Sequence, residues 1–277
     1  MSSEQMDRDE AGAEGQFAAG NYELIGELSS DAGAVVTGAA SIEAGMKILD
    51  VATGTGSVAI RAAQAGGQVT GLDIAAELLE AAGRRAEEAG VQVEWAQGDA
   101  AALAYPDESF DRVLTAFGTI FASDHDAAAQ ELVRVCRVGG EIVMANWSPE
   151  SFPARMFALV RGYVSSQEPA AVAPWEWGTQ RHVRRRLGGQ LVLATEPLSI
   201  DFVFESVDAM LAFYEANLGP LVTAKAALDP QRYDALRADL RALIAELDAG
   251  EGETRVPAPY LLVIGHKPVP DLRPNTG

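Results

Sequence analysis

The 277-residue chain is 48% hydrophobic, 22% charged and only 7% aromatic, and its net charge is −19. At roughly 150 residues per domain, this length predicts one large domain, or one carrying a sizeable insertion, with core enough to need no covalent staple. Its one cysteine, Cys136, excludes a disulfide framework and a thiolate metal cluster and suits a reducing compartment, while the acidic balance argues against a nucleic-acid partner.

From Met1 to Glu10 the chain is polar and acidic, unlike the apolar stretch of a signal peptide. No apolar run approaches the ~20 residues that span a bilayer. The expectation is a cytoplasmic protein without a membrane span. Residues 1–20, rich in Ala, Gly, Ser and acids with Phe17 as their only aromatic side chain, read as a frayed arm. A weak helical pattern follows in Tyr22, Leu24, Ile25, Leu28, Val35 and Val36.

Between 46 and 147 short apolar runs alternate with segments of helical period. The runs are Met46–Val51, Gln68–Leu72, Val91–Trp95, Phe110–Ala116 and Glu141–Trp147. Leu78, Leu79, Ala82 and Ala86 mark one helix face; Ala128, Leu132 and Val135 mark another, on a helix expected over 124–137 with Ser123 or Asp124 as its cap. Gly139-Gly140 is expected to end that helix and start the fifth strand. Continuous apolar strands alternating with helices predict a parallel sheet covered on both faces.

Past 148 the alternation breaks. Residues 149–190 hold Pro153, Pro169, Pro174, Trp175, Trp177 and the basic run Arg181-His-Val-Arg-Arg-Arg186. A strand is predicted over 191–204, helices over 206–218 and 230–248, and a buried strand at Tyr260–Ile264. Tyr233, Leu236, Leu240, Leu243 and Leu247 form the apolar stripe of the last helix.

The chemistry concentrates where the first strand ends, in Ile48-Leu-Asp-Val-Ala-Thr-Gly-Thr-Gly-Ser-Val-Ala59. Gly54 and Gly56 permit a tight turn and close approach of a ligand to bare backbone, and the helix beyond offers unpaired N–H groups. The same Gly-x-Gly-x-x-Ala run, with Asp73 ending the second strand, also satisfies a dinucleotide fingerprint. The turn alone therefore indicates a nucleoside-bearing ligand without saying which.

Later segments discriminate. Leu49-Asp-Val-Ala-Thr-Gly-Thr-Gly56, Gly71-Leu-Asp-Ile74, Gly98-Asp-Ala100, Ser109-Phe-Asp-Arg-Val113 and Glu131-Leu-Val-Arg-Val-Cys-Arg-Val-Gly-Gly140 stand in order at regular spacing. This order resembles the class I S-adenosylmethionine-dependent methyltransferases, within them the small-molecule branch of the ubiquinone and menaquinone biosynthesis enzymes. It departs from the pattern at Ala52, in place of a first glycine, and at Val138, in place of a proline. The resemblance implies an α/β fold: a Rossmann-like, doubly wound, seven-stranded, mostly parallel sheet whose last strand is antiparallel, with a helical insertion over the acceptor site. It implies an organisation of 1–45 as N-terminal arm and lid helices, 46–148 as the S-adenosylmethionine-binding core, 149–190 as insertion or lid, and 191–270 as the rest of the sheet with a helical cap at 206–249.

By the same resemblance the cofactor is S-adenosylmethionine and its product S-adenosylhomocysteine. Ala52, Thr53, Gly54 and Gly56 would pass its methionine moiety along backbone. Asp50 would hold the amino end through water or its own loop, and Asp73, next to Ile74, would accept both ribose hydroxyls. Asp99 would accept the adenine amine with Ala100 on the ring, and Ala116 and Phe117 would lie near the sulfonium. One carboxylate satisfying two donors forms charge-assisted bonds, the strong kind. No metal is implied.

The expected reaction is methyl transfer by in-line displacement to a small, partly apolar acceptor such as a secondary metabolite, quinone or lipid-like molecule, by a protein that is a monomer or homo-oligomer. Alignment and exclusion of water carry most of it, and a base is needed only for an acceptor protonated at working pH. The candidates for proton transfer are His125, His182 and Tyr22, with Tyr163 and Tyr214 behind them; His266 follows the last strand and is set aside. Trp175, Trp177, Phe152 and Phe157 are candidate lid residues, and Arg181 and Arg184–Arg186 a solvated face or an acidic-acceptor site. The alternative is a methyltransferase-fold protein that binds the cofactor but catalyses another reaction, such as a cyclisation. A nicotinamide-dependent oxidoreductase would want a Tyr-x-x-x-Lys pair, and Lys47, Lys225 and Lys267 are not so placed. Thr115-Ala-Phe-Gly118 lacks the Asn/Asp-Pro-Pro-aromatic run of nucleic-acid amino methyltransferases, and no paired-glutamate loop suggests protein arginine methylation.

Overall fold

A computed structural model describes residues 20–122, 124–164 and 174–269. Residues 1–19 of the arm expected over 1–20, Ser123 and Pro169 lie outside the described residues.

Two short helices open the fold, α1 (Tyr22–Leu28) and α2 (Ser30–Ala39). The alternating region gives β1 (Lys47–Val51), α3 (Ser57–Gln64), β2 (Gln68–Asp73), α4 (Ala76–Glu88), β3 (Glu94–Gln97), β4 (Phe110–Ala116), α5 (His125–Val135) and β5 (Cys136–Trp147). Then come α6 (Phe152–Val164), a single turn at Pro174–Gly178, α7 (Gln180–Leu187), β6 (Val192–Phe204), α8 (Val207–Asn217), α9 (Gly219–Ala227), α10 (Pro230–Leu247) and β7 (Thr254–His266).

All seven strands form one sheet in the order β3-β2-β1-β4-β5-β7-β6. β1 to β5 run parallel, β7 is antiparallel to β5 and to β6, and the sheet is therefore parallel except at the last strand of the chain. The central strands are buried on both faces: Ile48, Leu49, Val113, Leu114, Ile142, Val143 and Met144 are sealed from solvent. That burial explains why they read as unbroken apolar runs instead of alternating ones.

The structure corrects several boundaries. β3 begins at Glu94, not Val91, because the Val91 amide donates to the Ala86 carbonyl and closes the end of α4 after left-handed Gly90. The helix before the double glycine ends at Val135, and Gly139-Gly140 lie inside β5, where the β4 pairing slips between Phe110↔Cys136 and Arg112↔Glu141. Gly139 has φ +75°, and a Cβ on Gly140 would lie 2.9 Å from the carbonyl oxygens of both Asp111 and Arg137, so these glycines permit a bulge rather than a helix stop. Helix α9 was not foreseen; Pro220 occupies its first turn, where the missing N–H costs nothing.

β7 is also longer than the Tyr260–Ile264 run. Its extra length carries Pro257 and Pro259, and there it pairs with β6 alone, since β5 ends at the Trp147↔Tyr260 pair. With no strand on the second side, the prolines forfeit no ladder bond there. Among the described residues no helix is long and apolar enough to cross a membrane.

Candidate active site

The sheet order turns back at β1, with β2 and β3 on one side and β4 and β5 on the other. Outside the carboxyl ends of these strands, where open α/β sheets bind ligands, lies a cavity of about 460 Å³. One part of its wall is Ala52, Thr53, Gly54, Asp73, Ile74, Leu78, Asp99 and Ala100; another is Ala116, Phe117, Phe121, Trp147, Met156, Phe157, Phe202, Tyr214 and Leu218; Tyr22, Ile25 and Leu28 of α1 also face it.

The glycine turn is built around two buried carboxylates. Asp50, 1% exposed, accepts from the Thr53 hydroxyl at 2.5 Å and from the Ala59 amide at 3.0 Å, both on Oδ2. Its Oδ1 is buried without a hydrogen bond. Burial pushes its pKa up to about 7, with Asp73 adding to the rise and the two hydrogen bonds opposing it. Asp50 therefore clamps the turn from beneath and does not line the cavity; Gly56, at φ +80° before α3, is likewise outside the wall. Trp95 explains Gly56 as well as Gly71: a Cβ on either would meet the indole ring at 2.8 and 2.4 Å.

Asp73 does reach the wall. Its Oδ2 accepts from the Gly54 amide at 2.8 Å and its Oδ1 from the Ala75 amide at 3.0 Å. Burial raises its pKa, against the pull of these amides. A carboxylate has about four acceptor sites, so with the Ile74 amide also acting on it Asp73 retains acceptor capacity for a ligand hydroxyl. Asp99 Oδ1 accepts from the Ala101 amide at 2.9 Å. The loop behind Asp99 is stapled by Arg134, which donates to the carbonyls of Leu103 at 2.8 Å and Tyr105 at 2.7 Å while Glu131 accepts from the Leu103 amide at 2.7 Å.

Ala52, in place of the usual glycine, stands at φ +53°, a conformation that costs an L-residue about 1–2 kcal/mol. Gly118 makes room for it: a Cβ there would lie 2.3 Å from the Ala52 Cβ. Phe117 also has a positive φ, +63°, held by the hydrogen bond its amide donates to the Ala145 carbonyl at 2.8 Å and by stacking on Trp147 at 3.7 Å between centroids. Strained backbone of this kind, in a non-glycine residue beside a cavity, is a mark of functional sites.

The histidines expected to move protons are elsewhere. His125 Nε2 lies 3.0 Å from the Ile120 carbonyl, its ring packs by Trp177, and burial lowers its pKa; it is absent from the cavity wall. His182 faces Glu176 and Arg185 on α7, and it too is away from the cavity. Neither ring faces the cavity: His125 Nε2 meets the Ile120 carbonyl, and His182 Nε2 meets Glu176 and Arg185. Tyr22 does line the cavity, but burial raises its pKa well above the ordinary tyrosine range, so it is a poor base. Tyr163 donates to Asp239 at 2.6 Å on an outer groove. The basic run does not line the cavity, and Arg186 in it pairs with Asp126 at 2.9 Å and lies over the Trp177 ring.

Phe157 joins the cavity wall, whereas Phe152, Trp175 and Trp177 are core behind it. Among the described residues no lysine, arginine or histidine lines the cavity, and no cluster of three or more His, Cys, Asp or Glu is placed to hold a metal. Trp147, Phe202, Met156 and Leu218 escaped sequence reasoning. For Trp147 a signal existed, its place at the carboxyl end of a parallel strand; the others come from elements that packing alone brings over the sheet.

A methyltransferase-domain family model matches residues 48–140. Over 238 residues the chain is 36% identical to the uncharacterized protein Rv1405c of Mycobacterium tuberculosis, spanning 84% of this chain and 82% of that one. A demethylmenaquinone methyltransferase of Thermus thermophilus is 40% identical over 116 residues, 41% of this chain and 52% of its own length. The YcgJ protein of Bacillus subtilis superposes with a TM-score of 0.60 at 19% identity, over 86% of this chain and 98% of that one.

Proposed function

The chain belongs to the class I S-adenosylmethionine-dependent methyltransferases, and we propose that it methylates a small, uncharged, largely apolar acceptor in the cytoplasm. One observation carries this reading: a single cavity has two carboxylates, Asp73 and Asp99, in one part of its wall and an aromatic, cation-free lining in the other.

The residues present fit the cofactor. Gly54, at φ +55°, has nothing within 4 Å of where a Cβ would stand, so its bare backbone suits the methionine moiety. Asp73 would take the ribose hydroxyls on its spare lone pairs, and Asp99 the adenine amine between Ile74, Leu78 and Ala100. Ala52 and Thr53 would continue the backbone track, with Asp50 beneath it, and Ala116 and Phe117 would lie near the sulfonium. When bound, the cofactor supplies a methyl group already activated for displacement. The protein's share is alignment and dryness: Phe117, Trp147, Phe157 and Phe202 exclude water and hold the acceptor in line. The cavity wall has no base apart from the two cofactor carboxylates, so the acceptor's own acidity provides its nucleophile.

Calorimetry tests the cofactor half. S-adenosylhomocysteine binds the wild type and NAD does not, and Asp73→Asn weakens S-adenosylhomocysteine about 10- to 100-fold, as expected for lost charge-assisted bonds. Absence of binding rejects the proposal. Mass spectrometry with methyl-labelled S-adenosylmethionine and phenolic or enolic compounds tests the rest: a converted acceptor without a labelled methyl group would favour a non-methylating reaction.

A further inference from the structure

The acceptor side of the cavity draws its wall from β4, β5, α6, β6, α8 and α1, and two tyrosines, Tyr22 and Tyr214, stand among its mostly apolar side chains. Tyr22 is engaged, its hydroxyl lying against the Gly219 backbone. Tyr214, on α8, differs. It is 3% exposed, and its ring is fixed among Phe152, Phe204 and Phe213 at centroid distances of 5.2, 6.4 and 5.6 Å. Its hydroxyl makes no hydrogen bond to any described residue. The partnerless side-chain atoms of Thr115, Thr119 and Asn146 are sealed in the interior, whereas the Tyr214 hydroxyl retains accessible surface on a residue that lines the cavity.

The ring is held in an apolar surround while no described protein group accepts from the hydroxyl, so its hydrogen-bonding capacity is left to the contents of the cavity. Phenylalanine would fill the same space without that donor. An oxygen on a ligand is the acceptor such a donor can use.

Resting on the function proposed above, we propose that Tyr214 is a specificity-determining residue whose hydroxyl donates a hydrogen bond to an oxygen of the acceptor. The acceptor class is thereby narrowed to apolar molecules with a carbonyl, phenol or enol oxygen, and pure hydrocarbon analogues are disfavoured. Burial pushes the Tyr214 pKa well above the usual tyrosine range, so the group keeps its proton and acts as a donor. A site built to hydrogen-bond an oxygen discriminates strongly against the analogue that lacks it.

The test is equilibrium dialysis of the full chain, saturated with S-adenosylhomocysteine, against 2-naphthol and naphthalene. Hydrophobic partition alone favours naphthalene, so the sign of the preference is diagnostic. The expected result is that wild type prefers 2-naphthol about tenfold. Tyr214→Phe, which removes an atom with no protein partner, should abolish that preference while holding naphthalene and S-adenosylhomocysteine affinities within about twofold. A preference retained in Tyr214→Phe, or absent from wild type that binds S-adenosylhomocysteine, overturns the role of Tyr214 alone. Failure of wild type to bind S-adenosylhomocysteine overturns the proposed function and this inference with it.

Discussion

Asp50 illustrates how one buried side chain ties folding to the site. Its carboxyl holds the glycine turn through Thr53 and Ala59, yet one oxygen has no hydrogen bond, and burial raises the pKa to about 7. An unfolded aspartate titrates near 3.9, so between these values the folded state binds more protons and stability falls as pH rises. The loss from this group begins near pH 4 and is complete above about pH 7. Asp50→Asn keeps the shape and removes the charge. Urea titrations should therefore show the stability of the variant relative to wild type growing by about 2–3 kcal/mol between pH 5 and pH 8. A difference that stays flat across this range would contradict the buried-acid account. The family resemblance casts Asp50 as holding the cofactor's amino end through water or its own loop; only burial distinguishes clamping a turn from touching a ligand.

Between elements, the Arg134 staple matters most for the site. It leaves α5 to bind the Leu103 and Tyr105 carbonyls, and pairs with Glu131 at 2.7 Å and Asp107 at 2.9 Å. Its side chain is 29% exposed, so the ion pairs contribute less than the two hydrogen bonds to otherwise unpaired loop carbonyls. Arg134→Ala should cost about 1–2 kcal/mol in urea unfolding and weaken S-adenosylhomocysteine by loosening the loop after Asp99. Unchanged affinity in a destabilised variant would show that the loop holds Asp99 without the staple. The Glu131–Gly140 motif was legible, but its job was not: spacing shows that these residues share a helix, not that one of them reaches back 29 residues to a carbonyl.

For the whole molecule the net charge of −19 matters once the proposed cofactor is considered. S-adenosylmethionine carries a positive sulfonium that S-adenosylhomocysteine lacks, and an acidic field attracts only the former over long range. Stopped-flow association of S-adenosylmethionine should slow about threefold between 20 and 200 mM salt, as the Debye length shrinks, with S-adenosylhomocysteine much less affected. Equal salt dependence for the two would mean that the average charge has no bearing on the site.

The strand–helix order, the parallel sheet and the glycine turn were all readable from the chain, because they rest on local periodicity and on residues adjacent in sequence. So were Asp73 and Asp99, since strand ends in this topology converge on one crevice. The double glycine misled because a helix stop and a strand bulge call for the same residue. The cavity's acceptor side was readable only in part: Tyr22, Phe117, Phe157 and Tyr214 stood among the candidates, whereas Trp147, Met156 and Phe202 come from three separate elements, and each has the composition of ordinary core. Which apolar side chains seal the interior and which leave a space beside the turn depends on how those elements cross the sheet, a matter of three-dimensional packing that no one-dimensional period encodes.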